Sequence, residues 1–366
     1  RLQKLALLTA GALGLCYLLY PTGPRWPRAA PSPTPASSTA PTPPPVPPLP
    51  NAAPCVANAS VHNVSGFAEL PEQCRDFMSY RHCRAFPQLL DVPGKCGGPQ
   101  GSSSIFLLLA IKSSPSNYER REAIRKTWGQ QRTFHGAQIR RLFLVGVAPD
   151  TRNARKLNRL LWQEQREHHD VLQWDFRDTF FNLTLKLVLF HAWLQRHCPE
   201  AHFIFNGDDD VFVNTDNVVS FALGIPDSQH LMMGQVLTNT GPVRERGSKY
   251  FVPTQLMPSE LYPPYCSGGG VLLSRFTARA IHHAAQGIAL FPIDDVYLGM
   301  CLERAGLAPT SHDAIRPWGI YVPSNADPLD PCYHRELLMV HRLAPYEMAM
   351  LWHAIHAPEL LCGRKV

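Results

Sequence analysis

Residues 21–54 hold 14 of the chain's 35 prolines, mixed with Ser, Thr and Ala. Such a stretch lacks the amide donors and apolar side chains of a packed element, so it reads as an extended, partly polyproline, disordered stem. Ahead of it, Leu5–Tyr20 is nearly unbroken apolar sequence preceded by Arg1 and Lys4. At about 1.5 Å per residue the run makes a helix of ~24 Å, short for an average hydrocarbon core but suited to a thin membrane. A cleaved signal peptide is the competing reading, yet no small-x-small cleavage site follows. Basic residues before the run place the N-terminus in the cytosol. The expected organisation is a cytosolic stub and transmembrane signal anchor at 1–20, a stem at 21–54, and a lumenal domain at 55–366. Within that domain, 55–104 is a disulfide-bearing extension and 105–366 the core.

Nine cysteines follow the apolar run: Cys55, Cys74, Cys83, Cys96, Cys198, Cys266, Cys301, Cys332 and Cys362. None forms a CxxC pair or a Cys/His cluster of zinc-finger spacing, so disulfides in an oxidising compartment are the expectation. The odd number leaves one thiol over, with Cys74 as the candidate. Sequons at Asn58, Asn63 and Asn182 point to the same compartment. The net charge is +6, but the basic residues are dispersed and no aromatic-interleaved basic tract occurs. That argues against a nucleic-acid partner.

From residue 55 the composition turns globular. Ile105–Ile111 and Leu142–Val147 read as buried strands, and Phe203–Phe205 as a third. Helices are expected at Glu119–Trp128, at 152–168 and at Phe181–His197, where Leu183, Leu187, Phe190 and Leu194 recur at helical spacing. Alternating strands and helices predict an α/β domain around a central, mostly parallel sheet. Ligands of such sheets sit beyond the carboxyl ends of the strands. Asp208, Asp209 and Asp210 follow the third strand immediately.

Three adjacent carboxylates repel one another unless a cation neutralises them. They form either a solvated strand-to-helix turn or, as Asp-x-Asp, a site for Mg²⁺ or Mn²⁺. Asp294 and Asp295 precede a helical stretch, so they are either dipole-compensating first-turn acids or a pair in which one carboxylate serves as general base. Gly268, Gly269 and Gly270, with Tyr262 and Tyr265 just before them, are either a flexible turn or a point of close ligand approach. His341 closes an apolar run and reads as structural. Lys112, Arg120, Arg121 and Arg125 are either a solvated helix face or a diphosphate or uracil site.

The segments YRHCRAFP, KSSPSNYERREAIRKTWGQ, LQWDFRDTFFNLTLK, FNGDDDVFVNTDN, KYFVP, YPPYCSGGG, FPIDDVYLGMCLERAGL and DPCYHRELLMVHRLAPYEM occur in that order. Together they resemble the β-1,3-glycosyltransferases of glycosyltransferase family 31, in the N-acetylglucosaminyltransferase branch, over about residues 55–366. The resemblance implies a GT-A fold, UDP-GlcNAc as donor, Mn²⁺ as cofactor and inversion at the anomeric carbon. It makes Asp208, Asp210 and His341 metal ligands, and Asp295 the catalytic base with Asp294 beside it. Lys112, Arg121, Arg125, Trp128, Asp175, Lys186 and Asp209 fall on the donor side. Tyr265 and the three glycines fall on the acceptor side.

Cys266–Ser267, CVANAS and MCLERAGLAP look most like the members acting on mucin-type O-glycans, with a GalNAc or Gal acceptor. Two other readings stand beside this one: a β-1,3-galactosyltransferase of the same fold, and a catalytically silent lumenal partner protein. Golgi membrane attachment through the N-terminal helix is expected; whether the chain forms a homo- or hetero-oligomer is left open by the sequence.

Overall fold

In the computed structural model, residues 55–317 and 327–363 are described. The expected anchor and stem lie outside them. Among the described residues no helix is long and apolar enough to cross a membrane.

The strands are β1 (Gln88–Leu90), β2 (Ile105–Lys112), β3 (Thr133–Phe134), β4 (Ala137–Val147), β5 (Val171–Arg177), β6 (Phe203–Asp208), β7 (Val211–Val213), β8 (Met232–Leu237), β9 (Tyr265–Ser274), β10 (Thr310–Ser311), β11 (Ile315–Arg316) and β12 (Met339–His341). The α-helices longer than four residues are α1 (Glu72–Tyr80), α2 (Tyr118–Lys126), α3 (Thr151–His168), α4 (Leu183–His197), α5 (Thr215–Ala222), α6 (Arg275–Ala285), α7 (Asp294–Arg304), α8 (Pro331–Arg335) and α9 (Pro345–Ile355).

The main sheet runs β1-β5-β4-β2-β6-β9-β8-β10, with β3 on β4. It is mixed rather than mostly parallel. β5, β4, β2 and β6 are parallel, whereas β9 runs antiparallel to both β6 and β8. Sequence reading found the parallel half because β2, β4 and β6 are buried on both faces and therefore continuously apolar. It missed β9, whose glycines looked like a turn.

Side-chain alternation along β2 builds two cores. Leu108 and Ala110 pack with Leu185, Leu189 and Phe190 of α4 and with Ile281 and Leu298. Leu107, Leu109 and Ile111 face the opposite way, toward Ile124, Trp128, Val219, Met348 and Leu351. Residues 55–104 join the first core through Phe67, Leu70, Phe77 and Val92.

Cys96–Cys198 ties this extension to the end of α4, while Cys55–Cys83 and Cys332–Cys362 close short loops. Cys74 is free as expected, but so are Cys266 and Cys301. The expectation of one spare thiol is corrected to three. Both additional thiols are buried in the first core, where a small apolar side chain fits without a partner.

A second, three-stranded sheet, β11-β12-β7, sits beyond the end of β6. It turns the chain after the acidic triplet back against the C-terminal part of the protein.

Candidate active site

Lys112 and Asp208 are paired residues at the carboxyl ends of β2 and β6. Their side chains meet at 3.0 Å, and Lys112 Nζ also contacts Asp294 Oδ2 at 2.5 Å from the first turn of α7. Burial alone would push the Lys112 ammonium down. The carboxylates of Asp208, Asp294 and Asp295 outweigh it and hold the group well above its ordinary value.

The small sheet delivers the next pair. β12 lies antiparallel to β7 with His341 opposite Val211, which brings the imidazole beside Asp210. His341 Nε2 lies 3.1 Å from Asp210 Oδ1. Nδ1 lies 2.9 Å from the Pro317 carbonyl, an acceptor that keeps a proton on Nδ1, so that Nε2, which donates to Asp210 in the metal-free fold, is the nitrogen that would turn to a metal on losing its proton. The Asp210 carbonyl accepts the backbone N–H groups of Arg342 and Leu343 at 2.9 and 3.1 Å, latching the two segments together. Arg342 adopts φ +73°, a left-handed conformation that a non-glycine residue holds only when its surroundings enforce it.

Ligand atoms of Asp208, Asp210 and His341 all fall within 4.8 Å of one another. Two carboxylates and an imidazole form a donor set that fits Mn²⁺ or a similar divalent cation. Burial lifts Asp208 above the usual carboxylate range. Burial acts the same way on Asp210, but its hydrogen bond to His341 outweighs that and holds it low.

Asp209 faces elsewhere. Its Oδ2 accepts from Ser113 Oγ at 2.7 Å and from Asn117 Nδ2 at 2.9 Å, fixing the loop between β2 and α2. Above it, Arg120 Nη1 sits 3.9 Å from both Asp209 and Asp210, buried and without a hydrogen-bond partner. An orphaned guanidinium nitrogen beside an acidic cluster has the chemistry to receive a phosphate oxygen.

Asp294 and Asp295 play different parts. Asp294 is occupied by Lys112. Asp295, partly exposed, receives the Gly268 backbone N–H and no cation directly. Burial and the neighbouring Asp294 charge raise its carboxyl to about 8. These residues surround a cleft of about 480 Å³, which Phe180, Lys249 and Tyr250 border on another side. Lys249 Nζ lies 4.8 Å from the Tyr250 ring centroid and 5.5 Å from that of Phe180.

The structure brings Asp208, Asp209, Asp210, Asp294, Asp295, His341, Lys112, Lys186 and Gly268 to this cleft. Lys186 is a brace, with Nζ bound to the Ser113 carbonyl at 2.7 Å and to Asp178 at 2.8 Å. Four residues expected on the donor side do not border it. Arg121 is buried against Glu164 and holds Ser113 and Ser114. Arg125 is spent on Glu164 and Asp170. Trp128 is fully buried, edge-on to Phe205. Asp175 lines a separate cavity.

Gly269 and Gly270 lie inside β9, and their missing side chains make room for His341 and the Phe205 ring rather than for a turn. Tyr265 packs beside Gly299 and edge-on to Tyr262. Of the sequons, Asn58 and Asn63 are exposed. Asn182 is half-buried, and its amide donates to the Arg177 carbonyl at 2.8 Å.

Ser113, Asn117, Phe180, Lys249, Tyr250 and Arg342 were not singled out from the sequence. Each lies in one of the segments quoted above, Lys249 and Tyr250 in KYFVP, but no residue chemistry there set them apart.

Residues 119–313 match the family described as galactosyltransferase. The chain is 56% identical over 315 residues to a Mus musculus protein, acetylgalactosaminyl-O-glycosyl-glycoprotein beta-1,3-N-acetylglucosaminyltransferase, covering 85% of this chain and 80% of that one. The Homo sapiens protein of the same name is 55% identical over 314 residues, covering 85% and 81%. N-acetyllactosaminide beta-1,3-N-acetylglucosaminyltransferase 3 of Homo sapiens is 53% identical over 318 residues, covering 86% and 84%.

Proposed function

The chain belongs to the galactosyltransferase family, among its β-1,3-N-acetylglucosaminyltransferases, and from that membership we propose that it transfers GlcNAc from UDP-GlcNAc to the 3-hydroxyl of a Gal or GalNAc residue on mucin-type O-glycans. The observation that carries this reading is the placement of one cation-free carboxylate, Asp295, in the same cleft as the Asp208, Asp210 and His341 donor set.

The donor is α-linked and the product β-linked, so a single displacement from the opposite face suffices. Asp295 accepts the proton of the acceptor hydroxyl as that oxygen attacks, a role that suits a carboxyl raised to about 8. Asp294 is held in place by Lys112, so it positions its neighbour rather than competing for the proton. Asp208, Asp210 and His341 would hold Mn²⁺, which supplies neutralising charge for the departing diphosphate. Arg120 Nη1 offers an unpaired donor to a phosphate oxygen.

The acceptor class rests on the names of two of the relatives above and on the stretch around Cys266. Action in the Golgi lumen as a type II membrane protein is part of the proposal; the disulfides and exposed sequons support an oxidising, glycosylating compartment.

The full chain, incubated with UDP-GlcNAc, Mn²⁺ and either GalNAcα-O-benzyl or Galβ1-3GalNAcα-O-benzyl, tests the reading. UDP-Gal serves as the parallel donor. GlcNAc transfer that disappears in Asp295→Asn is the expected result. Preference for UDP-Gal, or no transfer from a folded, Mn²⁺-loaded protein, would sink it.

A further inference from the structure

Asp175 does not border the catalytic cleft; it lines a second cavity, of about 500 Å³, between the N-terminal extension and the end of β5. We propose that this cavity is a second saccharide-binding site, separate from the catalytic cleft.

The walls are built, not frayed. The Cys55–Cys83 disulfide and α1 form one side, and β5 the other. The Asp175 backbone N–H donates to the Pro87 carbonyl at 2.8 Å, which fixes the seam. Phe86 packs edge-on to Phe176 at 6.0 Å.

Four charged side chains bordering the space are uncommitted. Arg81, Arg177, Asp76 and Asp175 have no side-chain hydrogen bond or ion pair among the described residues. Arg81 is the telling one, because it is half-buried in the wall. Removal from water pushes its guanidinium down, and no carboxylate offsets that. An ion left partly desolvated without a partner has the chemistry of a binding group waiting for acceptors.

The set is two guanidinium groups and two carboxylates, so it carries no net charge. That disfavours a strongly ionic ligand. It suits a neutral polyol, whose hydroxyls donate to Asp76 and Asp175 and accept from Arg81 and Arg177. Tyr80, 43% exposed at the rim, offers the aromatic face on which the C–H side of a sugar ring packs. The volume falls in the ordinary range for small-ligand sites. The segment Arg177–Asn182 separates this cavity from the cleft, with Arg177 and Asn182 facing one and Phe180 the other.

Saturation-transfer NMR on the full chain tests this with N-acetyllactosamine, methyl α-GalNAc and an unglycosylated Ser/Thr/Pro peptide as probes. Tyr80→Ala and Asp175→Asn are exposed changes that leave the core intact. Each is expected to weaken saccharide binding about tenfold or more with an unchanged melting temperature. The Asp210→Asn/His341→Ala protein, altered only in the cleft, is expected to keep that binding. Three outcomes overturn the proposal: no saccharide binds at millimolar concentration, binding follows the cleft variant instead, or only the peptide binds.

Discussion

Lys112 and Asp294 form an ion pair at 2.5 Å, buried at the floor of the cleft, and thereby decide which of two adjacent carboxylates is free to react. Asp208 shares the same ammonium at 3.0 Å. Asp295, one residue along the helix, gets the field of Lys112 without contact and is left to take a proton.

Asp294→Asn should therefore act on the fold. It leaves Lys112 buried with Asp208 alone, so the expected loss is near the low end of the ~3–5 kcal/mol typical of a broken buried pair. Urea unfolding without metal measures it. An unchanged midpoint would show that the pair contributes nothing.

Asp295→Asn should act on turnover instead. The expected fall in kcat is ~10²–10⁴-fold, the usual contribution of a positioned base, with little change in KM for UDP-GlcNAc. A matching rise in KM would reassign Asp295 to donor binding.

Stability should depend on pH through the same residue. In the metal-free fold the Asp295 carboxyl is raised to about 8 from its ordinary 3.8. Between these limits the native state holds a proton that the unfolded chain has released. The protein's stability from this group is thus fully present below about pH 4 and is lost as pH rises through about 8. In EDTA, Asp295→Asn should match wild type at low pH and become progressively more stable than it as pH rises. A constant gap between the two from pH 5 to 9 would contradict this.

How far the sequence disclosed this arrangement depends on what each signal encodes. Burial on both faces wrote β2, β4 and β6 as apolar runs, and the acidic triplet announced the strand end where Asp208 meets Lys112. The antiparallel half was hidden, because Cys-Ser-Gly-Gly-Gly is as good a turn as it is a strand. Arg121 and Arg125 were unreadable for another reason. Their partners, Glu164 and Asp170, lie some 40 residues on, so basic helix residues that look solvated are buried in ion pairs. Ser113 and Asn117 carry no periodic signature; only the fold shows that they hold Asp209.

Metal binding should require the imidazole. His341→Ala removes one of the three proposed ligand groups and is expected to weaken Mn²⁺ binding at least ~10-fold, read as a smaller Mn²⁺-induced rise in melting temperature. Wild-type-sized stabilisation by Mn²⁺ would exclude His341 as a ligand.

Gly269→Ala should impair the site from behind. The residue sits at φ +100°, where L side chains are strained, and an added Cβ would lie 3.1 Å from Val211 Cγ1 and 3.2 Å from His341 Cγ. Both neighbours belong to the small sheet, so relief requires β12 to move and carries the imidazole away from Asp210. The strain costs ~1–2 kcal/mol. If displacement of His341 is the mechanism, excess Mn²⁺ restores part of the lost activity, because binding draws the imidazole back. Gly268→Ala is the control, since its Cβ would meet nothing closer than 3.8 Å. Equal damage from both substitutions, or loss in Gly269→Ala that Mn²⁺ does not relieve, would place the effect of Gly269 on the fold alone.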